Sequence, residues 1–308
     1  MKRVDFDYIE RHFPARPSDA HKGTMGTLCA LTGSFGFAGA AILSAEAALK
    51  TGVGLLYQVL PERIYPLFGT AVPESVCVPV RGNEKGTLCP AELEAVSRAT
   101  DKATAVLIGC GLGCNEDTAA VVEAVLRQAK CPVILDADGI NAIARHKHIL
   151  SEGKTDLILT PHVKEFSRLS GQSVEEILEA PAKAALDFSR SHRDITLVLK
   201  GHRTYISRNG ECYENIAGNS GMAKGGSGDV LAGIIASLTA QGTEPFTAAV
   251  SGVHIHALAG DIAAAKYSQT SMLPSDIIEA LHEIYAKIED VRSNGASSFA
   301  PDGHTPVR

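Results

Sequence analysis

From Thr27 onward the chain alternates short, almost unbroken apolar runs with longer segments of helical period, and this alternation restricts the possible folds more than any other feature. The runs are Leu28–Thr32, Val53–Leu60, Ala103–Ile108, Pro132–Leu135, Asp156–Thr160 and Ile195–Leu199. A strand with one face in water alternates polar and apolar residues, whereas a run that is apolar throughout is covered on both faces. Between the runs, Ala40–Lys50, Thr118–Gln128 and Val174–Ser191 read as helices. Repetition of this kind builds a mostly parallel sheet between two helical layers. The segment Thr204–Asn215 differs, because two short strands flank the turn pair Asn209-Gly210, which predicts a hairpin at one sheet edge. Helices are expected over Ser227–Ala240, Pro245–Ala265 and Pro274–Glu289. The expected organisation is one domain over residues 1–290 and a disordered tail over 291–308, rich in Ser, Gly, Pro and Asn.

With 308 residues, 45% hydrophobic and 21% charged, the chain can bury one large core. A net charge of -6 leaves no cationic excess for a nucleic-acid backbone or an anionic membrane surface, so neither is an expected partner. Met1–Arg16 lacks an apolar signal core, and no stretch reads as the roughly eighteen apolar residues of a membrane span. A cytoplasmic location is the expectation. The seven cysteines, an odd number, sit in apolar runs such as Leu28-Cys29-Ala30-Leu31, which suits a reducing compartment. Cys110 and Cys114 have no second Cys or His pair at zinc spacing, so no metal site is expected from them.

The strongest chemical signal is Lys224-Gly225-Gly226-Ser227-Gly228-Asp229, which opens directly onto the apolar helix beginning near Val230. Glycines let a ligand approach the backbone, and free amides at a helix N-terminus attract phosphate. A lone Asp in a first turn usually caps the helix. Capping does not require three glycines in the preceding four residues, so Asp229 reads as a base beside an anion hole formed by Gly225, Gly226, Ser227 and Gly228.

Other candidates cluster at the ends of the apolar runs. Gly33-Ser34-Phe35-Gly36-Phe37-Ala38-Gly39-Ala40 and Gly109-Cys110-Gly111-Leu112-Gly113 are either loose dinucleotide loops or plain turns, and neither completes the G-x-G-x-x-G pattern. Leu135-Asp136-Ala137-Asp138-Gly139 offers two carboxylates where open α/β sheets assemble ligand sites, or simply a helix capped by Asp138. Thr160-Pro161-His162 supplies a polar contact at another strand end, and Lys200-Gly201-His202-Arg203-Thr204 offers cations and amides, or solvated loop charge. His254 and His256 are two apart on a helix, face different ways and read as structural.

Taken in order, His21-Lys22-Gly23, Gly39-Ala40-Ala41, the Leu135–Gly139 segment, Thr160-Pro161-His162, Leu199-Lys200-Gly201, Gly225–Asp229 and Leu258-Ala259-Gly260-Asp261 resemble the motifs of the NAD(P)H-hydrate dehydratases, carbohydrate-kinase-like repair enzymes of the ribokinase-like superfamily. The resemblance runs from about Pro14 to Glu289. Two positions depart from it: Val163-Lys164 replace a usual Pro-Gly, and Cys110 replaces a usual Pro. The resemblance implies a three-layer α/β/α sandwich of ribokinase type. It implies that Ala40, Gly111, His162 and Asp229 contact hydrated NADH or NADPH, and that Lys200, Gly201, His202, Arg203, Thr204 and Gly228 contact an adenine nucleotide. It further implies ADP or ATP as co-substrate with Mg²⁺, a homotetramer, and cooperation with a separate NAD(P)H-hydrate epimerase. A vitamin or sugar kinase of the same superfamily, and a nucleotide sensor without turnover, are the competing readings.

Overall fold

The computed structural model describes residues 1–152 and 155–297. Ten strands form one sheet: β1 (Lys2–Arg3), β2 (Thr27–Leu31), β3 (Leu55–Pro61), β4 (Val76–Val80), β5 (Ala105–Ile108), β6 (Val133–Leu135), β7 (Leu157–Leu159), β8 (Ile195–Leu199), β9 (Thr204–Arg208) and β10 (Glu211–Asn215). The helices are α1 (Phe6–His12), α2 (Ala38–Lys50), α3 (Tyr65–Ala71), α4 (Leu93–Thr100), α5 (Glu116–Gln128), α6 (Ala137–Arg145), α7 (Ile149–Glu152), α8 (Val163–Ser170), α9 (Val174–Glu179), α10 (Pro181–Ser191), α11 (Ser227–Ala240), α12 (Pro245–Ser271) and α13 (Pro274–Ser297). All six expected runs are strands.

The sheet order is β1-β10-β9-β8-β7-β6-β5-β2-β3-β4, and every pairing is parallel except the two made by β9. Alternate residues of the central strands feed opposite layers. Cys29, Leu31, Val106 and Ile108 pack against α4, α5, α6, α8 and α10. Leu28, Ala30, Ala105 and Leu107 pack against α2, α11 and α12, and a further row of α1 and α13 covers α11 and α12 on that side. Both faces are dry, which is why the strands carry no polar alternation.

Four sequence expectations need correction. The hairpin forms as expected, with Asn209 and Gly210 at φ 49° and 80°, but it is not the sheet edge. Lys2 and Arg3 pair parallel to Tyr213 and Glu214 outside it, putting two charged residues on the exposed edge. Val76–Val80, absent from the expected strands, forms the other edge, where the missing amide donor of Pro79 is tolerated. The helix expected over Val174–Ser191 breaks at Ala180, since Pro181 starts a new helix and disfavours helical geometry in the residue before it. Finally, residues 291–297 are helical rather than tail. Arg292 donates from Nη2 to the carbonyls of Glu10 and Phe13 at 2.5 and 2.7 Å, tying α13 to the N-terminal segment. Residues 298–308 lie outside the described residues.

Among the described residues one helix, α12, is long and apolar enough to span a membrane by composition, but 72% of its apolar window is buried inside the fold. It is a core helix here. Its neighbour α11 is drawn against α2 by the absence of side chains: a Cβ on Gly233 would stand 2.3 Å from the Ser44 carbonyl oxygen. That close packing fixes where the N-terminus of α11 emerges.

Candidate active site

The chain leaves β2 toward β3 on one side and later returns to place β5 on the other, so the strand order reverses between β2 and β5. Crevices at the carboxyl ends of strands open at such points. Here the loops after β2 and β5 are bonded to each other: Gly33 N donates to Cys110 O at 2.8 Å, and Ser34 Oγ donates to Gly111 O at 2.8 Å. Gly111 has φ +60°, and a Cβ there would lie 2.7 Å from Ala40 Cβ and 3.0 Å from Phe37 O. The missing side chain therefore lets the loop after β5 pack directly against Phe37 and Ala40 at the first turn of α2.

The next three strand ends carry polar and charged side chains. Asp136, 2% exposed, follows β6 and stands at the N-cap position of α6, yet its side chain makes no capping bond. Instead Oδ1 accepts from Thr160 Oγ1 at 2.7 Å, after β7, and from Lys200 Nζ at 2.8 Å, after β8. Cys110 Sγ donates to Oδ2 at 3.6 Å. Burial works to lower the Lys200 pKa, but Asp136 and Glu165 outweigh it and hold the ammonium above its ordinary value. Lys200 is therefore charged and committed to Asp136.

Over this floor comes the first turn of α11. Gly226 occupies the N-cap at φ +101°, where a Cβ would strike Leu43 Cδ1 at 2.6 Å. The Gly228 and Asp229 amides have no carbonyl one turn back to bond, as at any helix start. A Cβ on Gly228 would lie 3.3 Å from Lys200 Nζ and 3.9 Å from Asp136 Oδ2. The helix amides, the ammonium and the carboxylates thus meet at one point. Asp229 is pushed up from 3.8 to about 7, chiefly by burial and then by the Asp136 charge, with Cys110 and Lys200 pulling the other way. A carboxylate that takes up a proton near neutral pH suits general-base work.

The sequence candidates fare unevenly. Asp229, Gly228, Lys200, Ala40 and Gly111 converge on the crevice. Gly225 faces open space, while the Ser227 hydroxyl is buried without a partner. His162 reaches the same edge, bridging to Lys200, but its Nδ1 accepts from the Lys164 and Glu165 amides at 3.1 and 3.3 Å, capping α8. With Nδ1 an acceptor, the ring's other nitrogen, Nε2, stands 3.3 Å from Glu165 Oε1. Burial and then Lys200 lower the His162 pKa, so the ring is neutral.

Arg203 is spent on Glu214, Nη1 to Oε1 2.7 Å, whereas Gly201 and His202 are exposed and Thr204 opens β9. His21-Lys22-Gly23 precedes β2 and so lies at the opposite edge of the sheet, where a Cβ on Gly54 would strike Lys22 O. It is not brought to the site within this chain. Asp138, read either as a ligand-site carboxylate or as a helix cap, accepts from Gly113 N at 2.9 Å and pins the loop after β5. His254 bonds Asn215 Oδ1 at 2.7 Å. His256 is buried with Nε2 unpartnered and is lowered to about 4, chiefly by burial; both rings sit in the core, as expected.

Sequence reasoning missed the Thr160–Asp136–Lys200 connection and the part of Cys110. The only signal was that all four residues end consecutive apolar runs.

A model of the NAD(P)H-hydrate dehydratases matches residues 28–283, well over half of the chain and every strand from β3 to β10. The chain belongs to the NAD(P)H-hydrate dehydratase family. It is 37% identical over 254 residues to the ADP-dependent (S)-NAD(P)H-hydrate dehydratase of Neisseria meningitidis, covering 81% of each chain. It is 35% identical over 284 residues to the bifunctional NAD(P)H-hydrate repair enzyme of Moorella thermoacetica, covering 92% of this chain and 53% of that one. The chain thus spans about half the length of the bifunctional relatives it matches. Among solved structures, the ADP/ATP-dependent NAD(P)H-hydrate dehydratase of Bacillus subtilis, co-crystallised with ATP/Mg²⁺, superposes with a TM-score of 0.80 at 29% identity over 93% of this chain and 98% of that one. The architecture of this dehydratase-family chain is accordingly ribokinase-like, a mostly parallel α/β sandwich.

Proposed function

We propose that the chain dehydrates the (S)-hydrates of NADH and NADPH at the expense of ADP or ATP. The observation that carries this reading is Asp229, poised to take a proton near neutral pH, in the first turn of a helix whose free amides sit over Lys200. Hydroxide is a poor leaving group from the ring carbon of the hydrate. Asp229 removes the hydroxyl proton as the oxygen attacks the terminal phosphorus of the nucleotide, and the P–O bond to the nucleotide breaks. The ring-nitrogen lone pair then expels phosphate, and loss of the neighbouring C–H proton restores the dihydropyridine. The Gly228 and Asp229 amides and the Lys200 ammonium balance phosphoryl charge.

The residues present do not suit a resident magnesium ion. Magnesium requires a near-octahedral shell of oxygens, whereas the cluster offers one thiol and two carboxylates, one of them already held by an ammonium. On this reading magnesium arrives as counter-ion of the nucleotide phosphates and leaves with them. Ala40, Gly111 and His162 form the hydrate side of the crevice, while Gly228 and the Lys200–Thr204 loop form the nucleotide side. The seven unpaired cysteines support a reducing compartment. The proposal extends to a homotetramer, to be measured by light scattering, and to a separate epimerase supplying the (S)-hydrate.

The deciding assay follows absorbance at the reduced-nicotinamide band after mixing hydrated NADH, the protein, magnesium and ADP or ATP. Recovery of the band with release of one phosphate per dinucleotide is expected. A stable phosphorylated small molecule, with no recovery of reduced dinucleotide, would replace the dehydratase with a kinase.

A further inference from the structure

Cys110, Asp136 and Asp229 each offer one ligand atom, and these atoms all lie within 4.8 Å of one another. They come from three different elements: the loop after β5, the end of β6 and the first turn of α11. We propose that the three side chains form an inhibitory site for a thiophilic divalent cation, zinc or cadmium, bound in place of the substrates.

The donor set and its spacing support a soft, tetrahedral ion. Zinc bonds of about 2.3 Å to sulfur and about 2.1 Å to oxygen put tetrahedral sulfur and oxygen ligands roughly 3.6 Å apart. Cys110 Sγ and Asp136 Oδ2 are 3.6 Å apart already. The Asp136 carboxylate is oriented from behind, because Thr160 and Lys200 both bond Oδ1 and leave Oδ2 toward the sulfur; outer partners of this kind fix a metal ligand in place. Cys110 is fully buried, so the ion enters past Asp229, which is only partly buried. Binding replaces the thiol proton, and any proton that Asp229 carries, with bonds to the metal, and the displaced protons go to solvent. Three anionic ligands against the Lys200 ammonium leave two negative charges, which a divalent cation cancels. A magnesium ion gains nothing from the sulfur and is not held.

Inhibition rests on the reading of Asp229 as the catalytic base, but binding does not. The test uses the full chain in a Cys114→Ser background, which removes the exposed thiol, without added thiol reductant. Cadmium chloride is titrated while the ultraviolet cadmium–thiolate charge-transfer band is recorded, and zinc is titrated into the hydrate assay. One equivalent of cadmium with a clear band is expected. That band should vanish in Cys110→Ala, and cadmium affinity should fall at least ten-fold in Asp229→Asn, which keeps the shape of the side chain. Half-inhibition of Cys110→Ala by zinc should need at least ten-fold more metal than the parent. An unchanged band in Cys110→Ala, or unchanged affinity in Asp229→Asn, overturns the site; if Cys110→Ala does not fold, the Asp229→Asn titration decides. Cadmium bound through Cys110 and Asp229 in a protein that never regenerates reduced dinucleotide would sink the dehydratase reading and leave the metal site standing.

Discussion

Along the carboxyl edge of one sheet, the loops after β2 and β5 pack closely against their neighbours by giving up side chains, while those after β6, β7 and β8 crowd charges together. The first half is backbone and glycine: Gly33, Gly109 and Gly111 all adopt positive φ, and a Cβ on Gly109 would strike Asp136 O at 1.9 Å. The second half is Asp136 with Thr160 and Lys200 bonded to one oxygen. A surface made by omission recognises shape and fails by obstruction. A surface made of buried charge acts chemically and fails by losing a partner. Asp229 belongs to the second half although it arrives on α11, because its proton affinity is set by burial and by Asp136.

The largest expected effect lies in the charged half. Asp229→Asn should lower the dehydration rate by about 10²–10⁴-fold while ADP affinity, measured by calorimetry, stays near that of the parent. A variant keeping more than about a tenth of the rate would remove base catalysis from the mechanism. In the parent, kcat/KM should rise with pH through a midpoint near the value of about 7 for Asp229.

The same residue makes a stability prediction. Its folded pKa lies above its unfolded value of 3.8, so the folded state binds the extra proton between the two. Burial of Asp229 therefore costs nothing below pH 3.8, costs more as pH rises, and reaches its full cost above about 7. Asp229→Asn should accordingly be more stable than the parent at pH 8, by on the order of 2–4 kcal/mol in urea unfolding, with the gap closing toward pH 4. A gap independent of pH would mean that Asp229 is not the group that titrates.

Lys200→Met should destabilise the fold by about 3–5 kcal/mol, since it strands the buried Asp136 carboxylate. Adding Asp136→Asn should return much of that loss, and a double variant no better than the single would show that the pair is not what holds the strand ends together. In the glycine half, Gly111→Ala should cost about 1–3 kcal/mol through the contacts with Ala40 and Phe37 and raise KM for the hydrate, with ADP affinity unchanged. If ADP affinity fell equally, the two halves would not divide the substrates.

The smallest effect separates two roles of His162. Loss of its cap on α8 in His162→Ala should cost about 0.5–2 kcal/mol. His162→Asn, whose amide oxygen can accept the same backbone donors, should recover the stability. Hydrate KM should stay raised in both if the ring also touches substrate, and return to the parent value in His162→Asn if the residue only caps.

Much of this architecture is legible in the order of residues along the chain. Strand positions follow from apolar runs covered on both faces, and β8 and the hairpin strands match to the residue because Asn209-Gly210 fixes turn and register locally. The glycine loop and Asp229 are legible for the same reason: five residues in a row constrain one helix start. Edge strands are not, since Pro79 and the charged pair Lys2-Arg3 violate strand patterns that hold only where both neighbours are present.

What the sequence by itself determined, then, is the inner strands, the hairpin and the glycine-rich entry to α11, because turn chemistry, periodicity and backbone freedom act over a few residues. The tertiary structure alone decided that Lys200, 64 residues from Asp136, neutralises it, that Cys110 stands between Asp136 and Asp229, and that His162 spends Nδ1 on its own helix. These depend on the order of β5, β6, β7 and β8 across the sheet and on how closely α11 approaches α2. Packing sets both, through glycines and alanines whose effect appears only when another backbone arrives beside them.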